Sequence, residues 1–315
     1  MDIKIFLEDN EKMLQIHDWK EIVNRSNYVH NLDIKDKILK EIIGYYELFP
    51  MIQCGLKNCH KHHRIGYIVK TTDGTEANIG HQCGTKYFHV IFSEMAAFFK
   101  NKVNLEELKI AIRNYKSQIF PIWQKIHSLS SGEKNISWAI SFFDKINNPE
   151  IIGRSAYMRL RKMYANNDGS IYKINALTKK EIEFYKETGR AIEESEKEVI
   201  GQIKHIDFLS PEDTLEKIFN EELRDAAQKL QDCDPDNLSV TKLKSIVKKA
   251  NAIDSNILRA QEKISVARQF FTKKNLAELL KDLEKNPNVS NADIDRYKEF
   301  LSSLENNKAP TNRGS

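Results

Sequence analysis

Three of the chain's four cysteines, Cys54, Cys59 and Cys83, fall between residues 54 and 83 together with four of its nine histidines. The text there is Cys54-Gly-Leu-Lys-Asn-Cys59-His60-Lys-His62-His63, an intervening segment, and then Ile79-Gly80-His81-Gln82-Cys83-Gly84. Thiolate and imidazole are the ligands that tetrahedral Zn²⁺ takes. In a chain of this length, such clustering points to a metal site rather than a disulfide framework. Cys54, Cys59 and Cys83 supply three sulfurs. His63 is the first candidate for the fourth ligand because it closes a Cys-x3-His turn. His81, beside Cys83, and His60, beside Cys59, are the alternates. Four protein ligands leave no open position for a reacting water, so the expectation is one structural zinc.

Placing three thiols at one point requires a turn, a return of the chain and a third element carrying Cys83. Ile65-Gly66-Tyr67-Ile68-Val69 reads as a strand, Asp73-Gly74 as its turn and Glu76 to Ile79 as the return strand. From Gln82 or Cys83 a helix begins, with Tyr87, Phe88, Ile91, Met95, Phe98 and Phe99 as its apolar stripe. Upstream, residues 10–47 read as two helices. Trp19, Ile22 and Val23 share a face of the first; Ile34, Ile38, Ile42 and Tyr45 recur at helical spacing in the second, which Pro50 ends.

A Cys-bearing turn, a hairpin and a helix with a ligand at its start follow the order of a treble-clef zinc finger, and residues 50–100 resemble that family. They also resemble zinc modules of uncharacterised bacterial and phage proteins, in which a Cys pair precedes a hairpin and an Ile/Val-Gly-x-x-Cys helix start. Here the match is Cys54, Cys59 and Ile79-Gly80-His81-Gln82-Cys83-Gly84. The segment departs from the commonest treble-clef pattern in its Cys-x4-Cys spacing and in lacking a second pair. The resemblance implies a fold, a metal and a phage, mobile-element or defence setting, but no reaction.

The rest of the chain reads as mainly α. It has 12 glycines and 7 prolines in 315 residues, and its long uninterrupted stretches are rich in Lys, Glu, Leu and Ile. Expected helices include one from Asn104 to about His127 kinked at Pro121, then Ser137–Ile146, Ile151–Tyr164, Lys179–Asp207 and one starting at Ser210-Pro211. Phe98, Phe99 and Trp123 are expected to be core, as are Trp138, Phe142 and Phe143. Leu243, Ile246, Ala250, Ile253, Ile257, Ala260, Ile264, Ala267 and Phe271 keep a three-four spacing that marks a coiled-coil seam. Ile182, Tyr185, Gly189, Ile192, Glu196, Val199, Ile203 and Ile206 do so less purely. The expected organisation is N-terminal helices over 1–49, a zinc module over 50–100, an α-helical and coiled-coil body over 101–305 and a disordered tail over 306–315.

No apolar run is long enough for a membrane span, and the N-terminus is a poor signal peptide, so a cytoplasmic protein is expected. Net charge is only +4, but residues 54–125 carry eleven Lys or Arg against five Asp or Glu. That basic excess sits on the cysteine cluster and points to nucleic acid or a nucleic-acid-associated protein as partner. Candidate contacts are Lys57, Lys61, Arg64 and Lys86, together with Arg154, Arg159, Arg161 and Lys162 on an aromatic-interleaved helix. Deaminase, His-Glu-x-x-His, P-loop, Rossmann and kinase signatures are absent. The leading expectation is therefore a non-enzymatic zinc protein that recognises nucleic acid. One alternative is a coiled-coil scaffold dimerising through its heptads. The other is a metal-dependent nuclease with His62 or His63 as base and His89 as the helix ligand.

Overall fold

The computed structural model describes residues 3–59, 61–176, 178–188 and 195–305. The protein is 58% helical with a small antiparallel sheet, so the mainly α expectation holds. It divides into two compact units, residues 1–114 with 234–247 and residues 115–233 with 248–315; the chain passes between them within the helix His81–Ser117, after the helix Asp225–Asp232 and within the helix Val240–Phe270. Among the described residues, no helix is long and apolar enough to cross a membrane.

The first unit is built on five strands, β1 (Lys4–Asp9), β2 (Lys12–Ile16), β3 (Leu39–Gln53), β4 (His62–Thr71) and β5 (Glu76–Gly80), all antiparallel in the order β2-β1-β3-β4-β5. This corrects the reading of residues 1–49 as two helices: only α1 (Trp19–Val23) is helical there, and the second predicted helix is mostly strand β3. The cause is visible in the register. A bulge between Ile42 and Gly44 puts Ile42 and Tyr45 on one face, so a bulged strand imitates the helical i, i+3 spacing. Ile43 and Tyr46 point to the other face, and both faces are buried. A strand apolar on both sides carries no clean alternation for a sequence reading to find.

One face packs on α2 (His81–Ser117), where Phe92, Ala96, Phe99 and Val103 are buried. α2 is broken at His89, whose φ of 55° and ψ of −143° are non-helical. The break folds the later turns back so that the Phe92 ring rests on Gly84, where a methyl group would lie 2.2 Å from it. It also shifts the phase of the helix. Tyr87, Ile91 and Phe98 of the expected stripe are exposed, Phe99 is buried as expected, Phe88 and Met95 are partly buried against the core, and Phe92, Ala96 and Val103 complete the buried face. The second face of the sheet gathers Ile5, Leu7, Ile22, Ile43, Tyr46, Leu48 and Ile68, with Trp19 against them.

The edge of β5 is closed by the segment after α1. Tyr28 bridges Glu76 in parallel, with Val29 N–H donating to the Glu76 carbonyl at 2.9 Å and Glu76 N–H to the Asn27 carbonyl at 2.8 Å. The Glu76 carboxylate, 1% exposed, is held by Arg25 through Nε at 2.7 Å and Nη2 at 3.0 Å.

The second unit is helical around an aromatic core of Trp138, Phe142, Phe208, Phe270, Phe271 and Phe300. Its elements are α3 (Ile119–Ser128), α4 (Ile136–Ile146), α5 (Pro149–Ile152), α6 (Arg154–Ala165), β6 (Ser170–Ala176), α7 (Lys179–Glu187) and β7 (Ser195–Gln202), followed by α8 (Leu215–Lys217), a π-helical stretch Ile218–Arg224 and α9 (Asp225–Asp232). Then come α10 (Val240–Phe270), which begins in the first unit, α11 (Lys273–Lys285) and α12 (Asn291–Ser303). The interruption expected at Pro121 occurs just before it, between α2 and α3. The helix expected from Ser210 starts later, with Thr214 as its cap.

The expected helix over Lys179–Asp207 is corrected as well. Its first part is helix α7; residues 195–202 form β7, paired antiparallel with β6, Ile206 and Asp207 begin a short 3-10 turn, and residues 189–194 lie outside the described residues. Non-local pairing between Ile171–Ile174 and Lys197–Gly201 overrides the local three-four spacing. The purer heptad lies on α10, and its positions Leu243, Ala250, Ile253, Ile257, Ala260, Ile264 and Ala267 are buried within the chain. The tail 306–315 lies outside the described residues.

Arg25→Ala would leave the buried Glu76 carboxylate without its cation. We expect a loss of roughly 3 kcal/mol in denaturant unfolding of the first unit, at the low end for a broken buried pair because Arg25 remains a third exposed. Unchanged stability would contradict this account of the β5 edge.

Candidate metal centre

Cys54 ends the run of β3, Cys59 closes the turn into β4, and Cys83 sits in the first turn of α2. β4 and β5 form the hairpin expected around Asp73-Gly74, and it returns the chain so that α2 starts beside the Cys54–Cys59 turn. All three cysteines are buried, and their sulfurs lie within 4.8 Å of one another, Cys59 and Cys83 at 3.5 Å. Four-coordinate zinc with bonds of about 2.3 Å needs sulfurs about 3.8 Å apart, so the triangle is the right size for one ion.

The turn is held by backbone. Cys54 N–H donates to the Lys61 carbonyl at 2.9 Å, Gly55 N–H to the Asn78 carbonyl at 2.8 Å and Lys57 N–H to the Leu32 carbonyl at 2.9 Å, while Leu32 N–H donates to the Gly55 carbonyl at 2.8 Å. Gly55 permits this close approach: a methyl group there would lie 2.5 Å from Asn78 Oδ1. Asn58 completes the turn with a left-handed φ of 63°.

Electrostatics separate the three thiols. Burial pushes Cys54 up to about 12, against N–H donors from Leu56 and Gly80, and burial raises Cys83 too. Burial also acts on Cys59, but the Lys61 backbone and the other two thiols outweigh it, so Cys59 titrates below its ordinary value. An ion entering the triangle must displace protons from Cys54 and Cys83, so its affinity falls as pH falls. Backbone donors aimed at sulfur stabilise the thiolates that result.

His63 is not part of this group. Its Nε2 lies 2.5 Å from Tyr46 Oη, its ring makes a backbone hydrogen bond at Lys61, and burial holds it below the ordinary imidazole value. His81 is exposed, its ring near Tyr67 and Phe92. Among the described residues no histidine or carboxylate joins the three sulfurs, and His60 lies outside the described residues. His62 and His89 are both exposed.

Non-local residues that the sequence reading missed support the site. Asn78, 2% exposed, donates to the Gln53 carbonyl at 2.9 Å and to Tyr46 Oη at 3.3 Å, and accepts from the Tyr28 hydroxyl at 2.7 Å. This network ties β3, β5 and the segment after α1 together directly behind Cys54. Only Gly55, placed inside the Cys pair, gave a local hint of it.

The basic candidates divide between the units. In the first, Lys57 pairs with Asp33 at 2.9 Å, Arg64 with Glu47 at 3.1 Å, and Lys86 lies over the Tyr87 ring. In the second, Arg159 pairs with Asp282 at 3.3 Å and Arg161 lies over Tyr157. Lys61, Arg154 and Lys162 are exposed and have no carboxylate partner among the described residues. The chain matches no protein-family model, no curated protein and no solved structure.

Gly55→Ala should push the turn away from Asn78 and open the sulfur triangle. We expect at least a tenfold loss of metal affinity in chelator competition, where about 1.4 kcal/mol is tenfold; wild-type affinity would show that the close approach is not required.

Proposed function

We propose that the chain is a non-enzymatic binding protein whose first unit is organised by one structural zinc ion, with nucleic acid as its partner. The convergence of three buried thiols, with backbone donors on two of them, carries the metal part of this reading. Three thiolates on one ion favour zinc over magnesium or calcium, which prefer oxygen. Thiolate-rich ligand sets are the ones structural zinc sites use, and among the described residues no histidine or carboxylate joins the sulfurs as a catalytic base would, which supports a structural role. The sequence of Cys-bearing turn, β4–β5 hairpin and Cys83 in the first turn of α2 supports the treble-clef reading, here on a sheet that also includes β1, β2 and β3. The resemblance to phage and bacterial modules makes a mobile-element or defence setting the first to consider.

The nucleic-acid part rests on the basic excess around the centre and on Lys61, exposed near the turn with no carboxylate partner among the described residues. Phosphate recognition by such cations makes affinity fall steeply with salt.

Elemental analysis should find one zinc per chain, lost in Cys83→Ser and retained in His63→Ala, whose ring nitrogens already have protein partners. A metal-free parent protein would overturn the zinc reading, and loss of zinc in His63→Ala would restore His63 as a ligand. Single-stranded and duplex oligonucleotide binding should weaken steeply between about 50 and 200 mM salt. No binding at low salt would remove nucleic acid as the partner while leaving the metal assignment intact.

A further inference from the structure

The second unit holds a cavity of about 400 Å³ between α6 and the β6–β7 hairpin. Three cations reach it. Arg159 and Lys162, three residues apart on α6, share a helix face, and Lys197 of β7 stands opposite Ile174 of β6. Tyr172 and Ile174, alternate residues of β6, line the same side of the hairpin.

The positive charge is poorly compensated. Lys162 and Lys197 are exposed and have no carboxylate partner among the described residues. Arg159 has Asp282 near its Nε at 3.3 Å, yet that buried nitrogen makes no hydrogen bond. Asp168, the carboxylate among the described lining residues, is already engaged: it accepts from the Tyr172 hydroxyl at 2.7 Å and from Ser170 N–H at 2.9 Å. The same bond to Asp168 fixes the Tyr172 ring, which with Ile174 makes an apolar wall beside the cations. Like charges converging on a partly enclosed space repel one another, and an anionic ligand relieves that repulsion. A fixed aromatic wall next to a cationic one suits a planar base joined to a phosphate.

We propose that this cavity binds a nucleoside phosphate, either free or as the phosphorylated end of a single strand, with phosphate on Arg159, Lys162 and Lys197 and the base against Tyr172. The strand form rests on the nucleic-acid part of the function proposed above; the free form does not, and neither involves the thiol site.

The experiment measures binding of AMP, adenosine, and 5′-phosphorylated and unphosphorylated single-stranded oligonucleotides to the full chain. It compares the parent protein with Lys162→Ala, Lys197→Ala and Tyr172→Leu, with Lys61→Ala as the control in the first unit. Circular dichroism checks folding, and the two exposed lysines are expected to be replaceable without structural loss. AMP should bind and adenosine should not, and each lysine variant should weaken AMP about tenfold, the scale of a lost charge-assisted contact. A preference for the 5′-phosphorylated strand that the same variants abolish would assign the cavity to strand ends; AMP binding without strand binding would assign it to free nucleotides. Equal affinity for AMP and adenosine, or binding unchanged in both lysine variants, would overturn the proposal. Oligonucleotide binding reduced only by Lys61→Ala would overturn the strand-end form while sparing the nucleic-acid reading.

Discussion

Desolvation of sulfur is the condition around which the first unit is arranged. Cys54, Cys59 and Cys83 belong to the same apolar cluster as Tyr67, Ile79, Phe92 and Phe99, so the three thiols meet where the core itself is assembled. Every element that reaches that point is positioned by something else: β3 by its pairing with β1 and β4, the Cys54–Cys59 turn by Asn78 and Leu32, and α2 by the packing of Phe92, Ala96 and Phe99 in the cluster with Tyr67 and Ile79. A buried thiol costs little, but three thiolates in an apolar core are costly unless a cation neutralises them. A bound metal would therefore contribute directly to folding of the unit, with apparent energies of about 10–16 kcal/mol known for structural zinc.

The same arrangement explains why His63 is not at the sulfurs. Successive strand residues face opposite ways, so the register of β4 that leaves His62 exposed turns His63 inward, where Tyr46 and Asn78 form a buried polar network. Spacing along the chain placed His63 near Cys59; the strand's alternation carries its ring to the neighbouring network instead.

How much could be read beforehand follows from how local each signal was. The cysteines, the Asp73-Gly74 hairpin, the helix start at Cys83 and the interruption near Pro121 are written in adjacent residues, and the structure has them. The bulge between Ile42 and Gly44 and the β6–β7 pairing depend on partners far along the chain and each produced a misleading helical period, while the break at His89 shifted the phase of a helix that is present. Glu76, Asn78 and Tyr46 were invisible for the same reason: each is an ordinary residue until Arg25, Tyr28 and His63 are brought to it. The heptad on α10 was correctly periodic, but what the period marked was a face buried within the chain.

The most direct test of the central claim is X-ray absorption at the zinc edge on the purified protein. The account predicts a four-coordinate ion with three sulfurs at about 2.3 Å and one lighter ligand at about 2.0 Å. A zinc environment made only of nitrogen and oxygen would place the metal elsewhere and contradict the assignment of Cys54, Cys59 and Cys83 as its ligands.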